Sequence, residues 1–384
     1  MAKNWKTKLI HSDVRVPEGF RALTTPVYRG STVIFPHAGV VKNTWNQYEA
    51  GYTYGTHGTP TVLELAGRVA ELEGGAHALV VPSGLAAISL IHLALLQTGD
   101  HVLIPETSYG PNRAFARQVL RKLGVDSTFY SPGIGAGVAS LTRENTKAVW
   151  CESPGSVTME LQDVPGIAEA AHRAGAVVVM DNTWAAGVYF DSFAHGVDMT
   201  MQALTKYVAG HSDVLLGSVT VTDKNLFERI GGMHCLLGYS VSADECSLAL
   251  RGMKTMAVRL QASEESGLSL ARWLAARPEV ELVLHPALES CPGHEFWKRD
   301  FTGSAGVFSI VLRKGFTKEQ VLRFVDGLEL FEIGYSWGGV TSLALAYDLV
   351  GREYGHRLVR FNIGLEDVED LRGDLERGLD GLAV

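Results

Sequence analysis

The chain has 384 residues, 46% of them hydrophobic and 20% charged, with a net charge of −8. That length exceeds what one hydrophobic core usually serves, so two domains are expected, and the composition is that of a soluble globular enzyme. The acidic balance excludes a nucleic-acid surface, whose footprint is a basic stripe.

The opening Met1-Ala2-Lys3-Asn4-Trp5-Lys6 has no apolar run behind it, so no signal peptide and a cytoplasmic location are expected. Residues 1–57 lack helical periodicity and carry Pro17, Pro26 and Pro36. They read as an extended arm, ordered by packing on another subunit. The pattern then changes. Val62, Leu65, Ala66, Val69 and Leu72 recur at helical spacing and Gly74-Gly75 closes the run. The most apolar long segment, Ala76 to Leu96, is broken by Pro82, Ser83, Gly84 and His92. It reads as a strand (Ala78–Val81), a turn and a buried helix (Leu85–Leu96), not as a membrane span.

A strand is expected at His101–Pro105, a helix around Pro111–Leu123, and a strand at Ser127–Tyr130. Ala148–Glu152 follows as a strand and Val164–Ala174 as a helix. Ala176–Met180 is then an apolar, β-branched run ending in Asp181, the mark of a buried parallel strand. The alternation predicts a mainly parallel, doubly wound α/β sheet over residues 58–255. From 256 to 384 a smaller α/β domain is expected. It opens on a helix over Met253–Arg277 and includes strands at Gly306–Leu312 and Arg357–Gly364. Helices are expected at Lys318–Leu328 and Glu366–Leu379. The four cysteines, Cys151, Cys235, Cys246 and Cys291, have no zinc or C-x-x-C spacing, so reduced thiols and no metal site are expected.

An acid at a strand end followed by Lys206 in Gln-Ala-Leu-Thr-Lys-Tyr is the pair that a pyridoxal phosphate (PLP) enzyme needs. The lysine holds the aldehyde and the carboxylate keeps the ring nitrogen protonated. Ser83-Gly84-Leu85 is a strand-to-helix turn whose free N–H groups favour a dianion, and Thr205 offers a hydroxyl beside the lysine. Tyr109, in the loop after a strand of the same sheet, suits stacking on a ring and moving a proton. Arg360, between apolar residues on a strand, suits a bidentate grip on an α-carboxylate.

Several spaced motifs carry a closer likeness. They are Tyr52-Thr53-Tyr54-Gly55, Glu152-Ser153-Pro154-Gly155-Ser156, Asp181-Asn182-Thr183-Trp184, Thr205-Lys206-Tyr207 with Gly210-His211-Ser212-Asp213, Tyr335-Ser336-Trp337-Gly338-Gly339, and Gly293-His294-Glu295-Phe296-Trp297. By them the chain resembles the PLP-dependent enzymes of cysteine and methionine metabolism over nearly its whole length. The resemblance implies fold-type I architecture and a homotetramer, a dimer of dimers with shared active sites. It implies Lys206 as the Schiff-base lysine, Asp181 on the pyridine nitrogen and Tyr109 on the ring. Gly84, Leu85 and Thr205 would hold the phosphate, helped by Tyr54 of the neighbouring subunit. Arg360, Ser336 and Trp337 would form the substrate side, with no nucleic acid or membrane as partner. Tyr335 stands where γ-acting relatives carry a glutamate. This favours a carbon–sulfur lyase that cleaves L-cystathionine by β-elimination to homocysteine, pyruvate and ammonia. The alternatives are another activity of the family (cysteine desulfhydrase, γ-lyase, sulfhydrylase-type synthase) and a non-catalytic scaffold.

Two positions depart from the family's pattern. Thr56 stands where an arginine commonly pairs with the neighbour's phosphate, and Ala203 where many relatives have a serine. Either Thr56 and other hydroxyls compensate or the coenzyme is held less tightly; His57 is a candidate replacement cation.

Overall fold

The computed structural model describes residues 4–11 and 22–383. Residues 1–3 and 12–21, which include the chain start and the Pro17 stretch of the expected arm, lie outside the described residues.

Seven strands form the larger sheet: β1 (His77–Val81), β2 (His101–Pro105), β3 (Asp126–Tyr130), β4 (Thr146–Glu152), β5 (Val177–Asp181), β6 (Met199–Gln202) and β7 (Gly217–Val221). Their spatial order is β1-β7-β6-β5-β4-β2-β3. Neighbours are parallel except that β7 runs antiparallel to both β1 and β6. The fold is therefore α/β with a mainly parallel sheet, as expected. Strands β6 and β7 are the ones that sequence pattern passed over. Met199–Gln202 is only four residues long, and Gly217–Val221 opens on Gly and Ser and carries only two apolar residues, without a strong apolar signal.

Before the sheet come two short helices, α1 (Trp5–Ile10) and α2 (Gln47–Ala50). Around it lie α3 (Pro60–Glu73), α4 (Gly84–Leu95), α5 (Gly110–Gln118), α6 (Val164–Arg173) and α7 (Lys224–Leu237). Local chemistry sets their ends. Pro60 opens α3 at a position whose N–H is not needed, and Gly74 closes it in the left-handed conformation (φ +76°) that glycine adopts without strain. Asp163 and Asp223 cap α6 and α7 by accepting main-chain N–H bonds. The helix expected through Leu123 ends its α-helical part at Gln118 and finishes as a 3₁₀ turn, Leu120–Leu123.

The arm departs from expectation at its start. Trp5–Ile10 is helical, and Leu9 is buried within the chain's own core; Arg68 Nη1 donates to its carbonyl at 3.3 Å. A six-residue helix is too short to register as periodicity, yet it finds an apolar seat on its own subunit.

The helix α8 (Ala243–Ala275) has 33 residues and begins ten residues before the expected Met253. Its first turns mix Asp244, Glu245 and Arg251 with Cys246, Ala249 and Leu250, which blurs the apolar stripe. Ser242 caps it, and Asp244 and Glu245 in the first turn suit the positive helix end. The division expected at 255/256 falls inside this helix. One core cluster runs along α8 from Val62 and Leu65 under the large sheet to Leu284, Val307 and Leu358 of the second sheet.

That second sheet contains β8 (Val280–Leu284), β9 (Val307–Leu312), β10 (Glu332–Ile333), β11 (Leu343–Leu349) and β12 (Gly355–Asn362), in the order β10-β11-β12-β9-β8. Only β10 and β11 run parallel. Helices α9 (His294–Asp300), α10 (Lys318–Asp326) and α11 (Val368–Asp380) accompany it. Its core centres on Phe361, whose ring meets Phe308, Phe324 and Phe331 at 5.4–6.5 Å. All four cysteines are free thiols. Among the described residues no helix is long and apolar enough to cross a membrane.

Candidate active site

In a parallel sheet the carboxyl ends of the strands open onto one edge, where ligands bind. Here that edge collects Gly84 after β1, Lys206 after β6, Asp181 at the end of β5, Glu152 at the end of β4 and Tyr109 after β2. The antiparallel β7 contributes its beginning to the same edge, because Gly217 pairs with Val81.

The turn at Gly84 is tightly built. Ser83 Oγ accepts the Ala86 N–H at 3.0 Å and caps α4. A Cβ on Gly84 would stand 2.8 Å from the Ala203 methyl, and one on Gly217 would stand 2.3 Å from the Ser83 carbonyl. Gly84 is therefore small because two chain segments pass each other there, with the Ala203 methyl on the facing side. Nothing in this contact explains alanine in place of the family's serine at 203. Gly84 and Leu85 leave the first-turn N–H groups of α4 available to an anion.

Asp181 is held by its neighbour. Thr183 donates to Asp181 Oδ1 twice, from its N–H at 3.1 Å and from its hydroxyl at 2.5 Å. The same hydroxyl oxygen accepts the Ala203 N–H at 3.0 Å, linking the acid to the strand that leads to the lysine. Burial pushes the Asp181 carboxyl up to about 6, opposed by the two Thr183 bonds and by the charge on Lys206. For Lys206 burial and the charge of Arg360 lower the ammonium to about 8, opposed by Asp181. Its Nζ donates to Ser336 Oγ and lies 5.5 Å from the centre of the Trp337 ring.

Arg360 sits on β12 of the second sheet and is nearly buried. Its Nη2 donates to the Ser336 carbonyl at 3.0 Å, and its guanidinium lies 5.3 Å from the Tyr347 ring centre. Among the described residues no carboxylate pairs with it. A buried guanidinium without an acid is a receiver for one. Tyr335, just before Ser336, is largely exposed at the mouth. The Ser336–Gly339 loop is pinned by Asn362, whose Oδ1 accepts the Gly338 N–H at 2.7 Å.

Tyr109 stands just before α5, at the N-cap position but with no capping bond from its side chain, and its ring is part-exposed. Its N–H donates to Glu152 Oε2 at 2.7 Å. Burial and the nearby acids Asp181 and Glu152 raise its hydroxyl above the usual phenol range.

Two expectations change. Thr205 uses its hydroxyl on the chain itself: it donates to the Leu216 carbonyl and accepts the Leu216 N–H, both at 3.1 Å. Its proton is thus engaged, and giving it to a phosphate breaks the Leu216 bond. His57 is turned inward. Its Nδ1 is 2.9 Å from Thr53 Oγ1, burial lowers its affinity for a proton, and it lines a cavity with Val62, Ala78, His234 and Tyr239. An imidazole that disfavours charge is a poor substitute for an arginine. Tyr54 is half-exposed.

The comparisons with known proteins decide the family. The family described as "Cys/Met metabolism PLP-dependent enzyme" matches residues 6–380. The chain belongs to this family. A "Cystathionine beta-lyase MetC" from Escherichia coli is 41% identical, over 98% of each chain. A "Putative cystathionine beta-lyase" from Rhizobium johnstonii is 45% identical, over 93% of this chain and 91% of the relative. The solved structure of metB from Corynebacterium glutamicum superposes with a TM-score of 0.91 at 30% identity, covering 99% of this chain and 98% of that one.

The residues present fit the coenzyme on their own geometry. A glycine turn that a Cβ would fill, a buried acid held from behind, a lysine with a lowered proton affinity and an arginine lacking an acid all face one crevice. Sequence pattern missed Thr183, Glu152 and Asn362 as parts of this arrangement. Thr183 and Glu152 stood in the quoted motifs, and Asn362 lies two residues beyond Arg360, hence on the same face of β12.

Proposed function

We propose that the chain is a PLP-dependent carbon–sulfur lyase that cleaves L-cystathionine by β-elimination. The observation that carries this reading is the convergence of Lys206, Asp181 and Tyr109 from one sheet with Arg360 and Ser336 from the other. The β-lyase names of the relatives support the choice of reaction, as does Tyr335 at the mouth.

Lys206 would carry the coenzyme, Asp181 its ring nitrogen, Tyr109 its ring face, and Gly84 and Leu85 its phosphate. When bound, the coenzyme supplies the electron sink for the pair released as the Cα–H bond breaks. Arg360 holds the substrate α-carboxylate and turns the Cα–H bond toward Lys206. Once the substrate's own amine has taken its place, the buried Lys206 amine is free; with its proton affinity lowered to about 8 it is about one-tenth neutral at pH 7, roughly a few hundredfold more than an ordinary lysine, so its Nζ takes the α-proton. The Cβ–S bond then breaks, and the departing thiolate takes that proton from Nζ, leaving as homocysteine. The remaining enamine adds water to give pyruvate and ammonia. Tyr109, which follows β2 at the same sheet edge, would cover the coenzyme's ring face and exclude water from it.

Four cysteines held as free thiols support a cytoplasmic setting. The family resemblance supports assembly into a homotetramer, in which half-exposed Tyr54 would serve the neighbour's phosphate. The domain reading is an N-terminal arm, a coenzyme domain and a C-terminal domain joined by α8. The test is product identity from cystathionine with added PLP. Pyruvate with homocysteine supports β-cleavage; 2-oxobutyrate with cysteine overturns it.

A further inference from the structure

Glu152 is a buried acid that the mechanism above does not use. It ends β4 as Asp181 ends β5, and the two are register partners in parallel strands. Their side chains therefore rise from the same face, on backbones about 4.8 Å apart. Glu152 Oε2 accepts the Tyr109 N–H at 2.7 Å. Among the described residues no other side chain accepts from that amide. The strand end beneath is rigid: the Glu152 N–H donates to Gln162 Oε1 at 2.8 Å, Gln162 N–H to Ser153 Oγ at 3.0 Å, and Gln162 Nε2 to the Tyr130 hydroxyl at 3.1 Å.

We propose that Glu152 is a positioning residue: through a neutral carboxyl group it ties the main chain of Tyr109 to the strand end that carries Asp181. This inference rests on the reading of Asp181 and Tyr109 as the residues that meet the coenzyme ring.

The charge assignment follows from what faces the pair. Asp181 comes from β5, Arg113 and the Tyr109 hydroxyl from the start of α5, and Lys206 and Arg360 from the far side of the crevice. Among the described residues no cation forms an ion pair with Glu152. Two buried carboxyls on neighbouring strand ends do not both ionise. Asp181 has two Thr183 donors and the attraction of Lys206; Glu152 has the Tyr109 and Ser156 N–H groups and the charge of Arg113, but its burial and the charge of Asp181 outweigh them, so the negative charge settles on Asp181. Burial and Asp181 together push the Glu152 carboxyl well above the usual carboxylate range. The pair thus presents one charge, on the acid that faces the ring nitrogen, and one neutral group, on the acid that holds the tyrosine.

The test compares Glu152→Gln and Glu152→Ala with the parent enzyme, each reconstituted with PLP. Three readouts are followed: pyruvate formation from cystathionine, KM, and the pH midpoint of the coenzyme's visible absorption band. Glu152→Ala leaves the Tyr109 amide without its acceptor and lowers kcat about tenfold or more, with the band retained. Glu152→Gln supplies a neutral acceptor of the same shape. It keeps kcat within about threefold of the parent and the midpoint within about 0.3 pH unit, because no charge has been removed. A Glu152→Ala enzyme with parental kcat overturns the positioning role. A Glu152→Gln midpoint displaced by about one pH unit or more overturns the neutral state. If Glu152→Ala does not fold, Glu152→Gln decides alone, and a kcat loss beyond tenfold overturns the proposal. Failure of the lyase reading itself is seen separately, as absence of pyruvate from the parent enzyme.

Discussion

Lys206 Nζ donates a hydrogen bond to Ser336 Oγ, a side chain 130 residues further along the chain. The lysine follows β6 of the large sheet and the serine follows β10 of the small one. Ser336 has a φ of +90°, a region that costs a residue with a Cβ about 1–3 kcal/mol. Its neighbours hold it there. Arg360 takes its carbonyl and Asn362 fixes the Gly338 amide. The turned backbone lets one residue face the lysine with its hydroxyl and the arginine with its carbonyl.

Lys206 is the residue whose loss is expected to end catalysis. Lys206→Ala should reduce pyruvate formation at least ~10³-fold, as expected where one group accepts and returns the proton. It should also abolish the visible band that depends on a bond between its amine and the coenzyme. Ser336→Ala removes one neutral partner and should cost about tenfold or less. A Lys206→Ala protein that turns over near the parental rate refutes the assignment.

Arg360→Lys tests the carboxylate grip. A lysine keeps the charge but not the planar fork. Losing a charge-assisted contact costs about 1.5–3 kcal/mol, roughly ten- to a hundredfold in kcat/KM. The loss should be read mainly in KM, measured from initial rates over a range of cystathionine. An unchanged kcat/KM places the carboxylate elsewhere.

Coenzyme capture should depend on pH with a defined sign. Only the neutral amine attacks an aldehyde, and burial with Arg360 lowers the Lys206 ammonium to about 8. When PLP is added to coenzyme-free protein, the rate at which the visible band appears should rise with pH and level off above about 8. Arg360→Leu removes a repelling charge, so the midpoint should move upward. A rate that is flat from pH 6.5 to 9, or a downward shift in the variant, contradicts the depressed amine.

Gly84→Ala probes the phosphate turn. The added methyl would meet the Ala203 methyl at 2.8 Å, with the Ala203 main chain at 3.3 Å behind it. Overpacking of this kind costs about 1–3 kcal/mol. The variant should lose thermal stability and bind PLP more weakly than the parent, by equilibrium dialysis. Parental affinity together with parental stability would show that the turn has room to spare.

Much of the large sheet was legible because its strands are short apolar runs between helices with clear stops. Gly74 after α3 and Ser83 before α4 mark boundaries that any parallel sheet needs, and His101–Pro105 and Val177–Asp181 are buried on both faces. Less legible were β7, whose small residues pack without a strong apolar signal, and the first third of α8, where charges interrupt the stripe. The Trp5–Ile10 helix escaped notice because one and a half turns carry no period. At the site, Thr205 looked available from its place beside Lys206, but its hydroxyl belongs to Leu216. Glu152 looked like an ordinary strand end until its partner across the ladder proved to be Asp181.

Residue identity and local pattern singled out the acid, the lysine, the tyrosine and the arginine as candidates, because such chemistry needs particular side chains at strand ends. Their arrangement came from the strand order. β6 lies beside β5 and β4 follows it, while α8 locks the second sheet against the first, and only that stacking brings Arg360 and Ser336 to Lys206. Distances between groups so far apart in the chain depend on long-range packing, which no local pattern encodes.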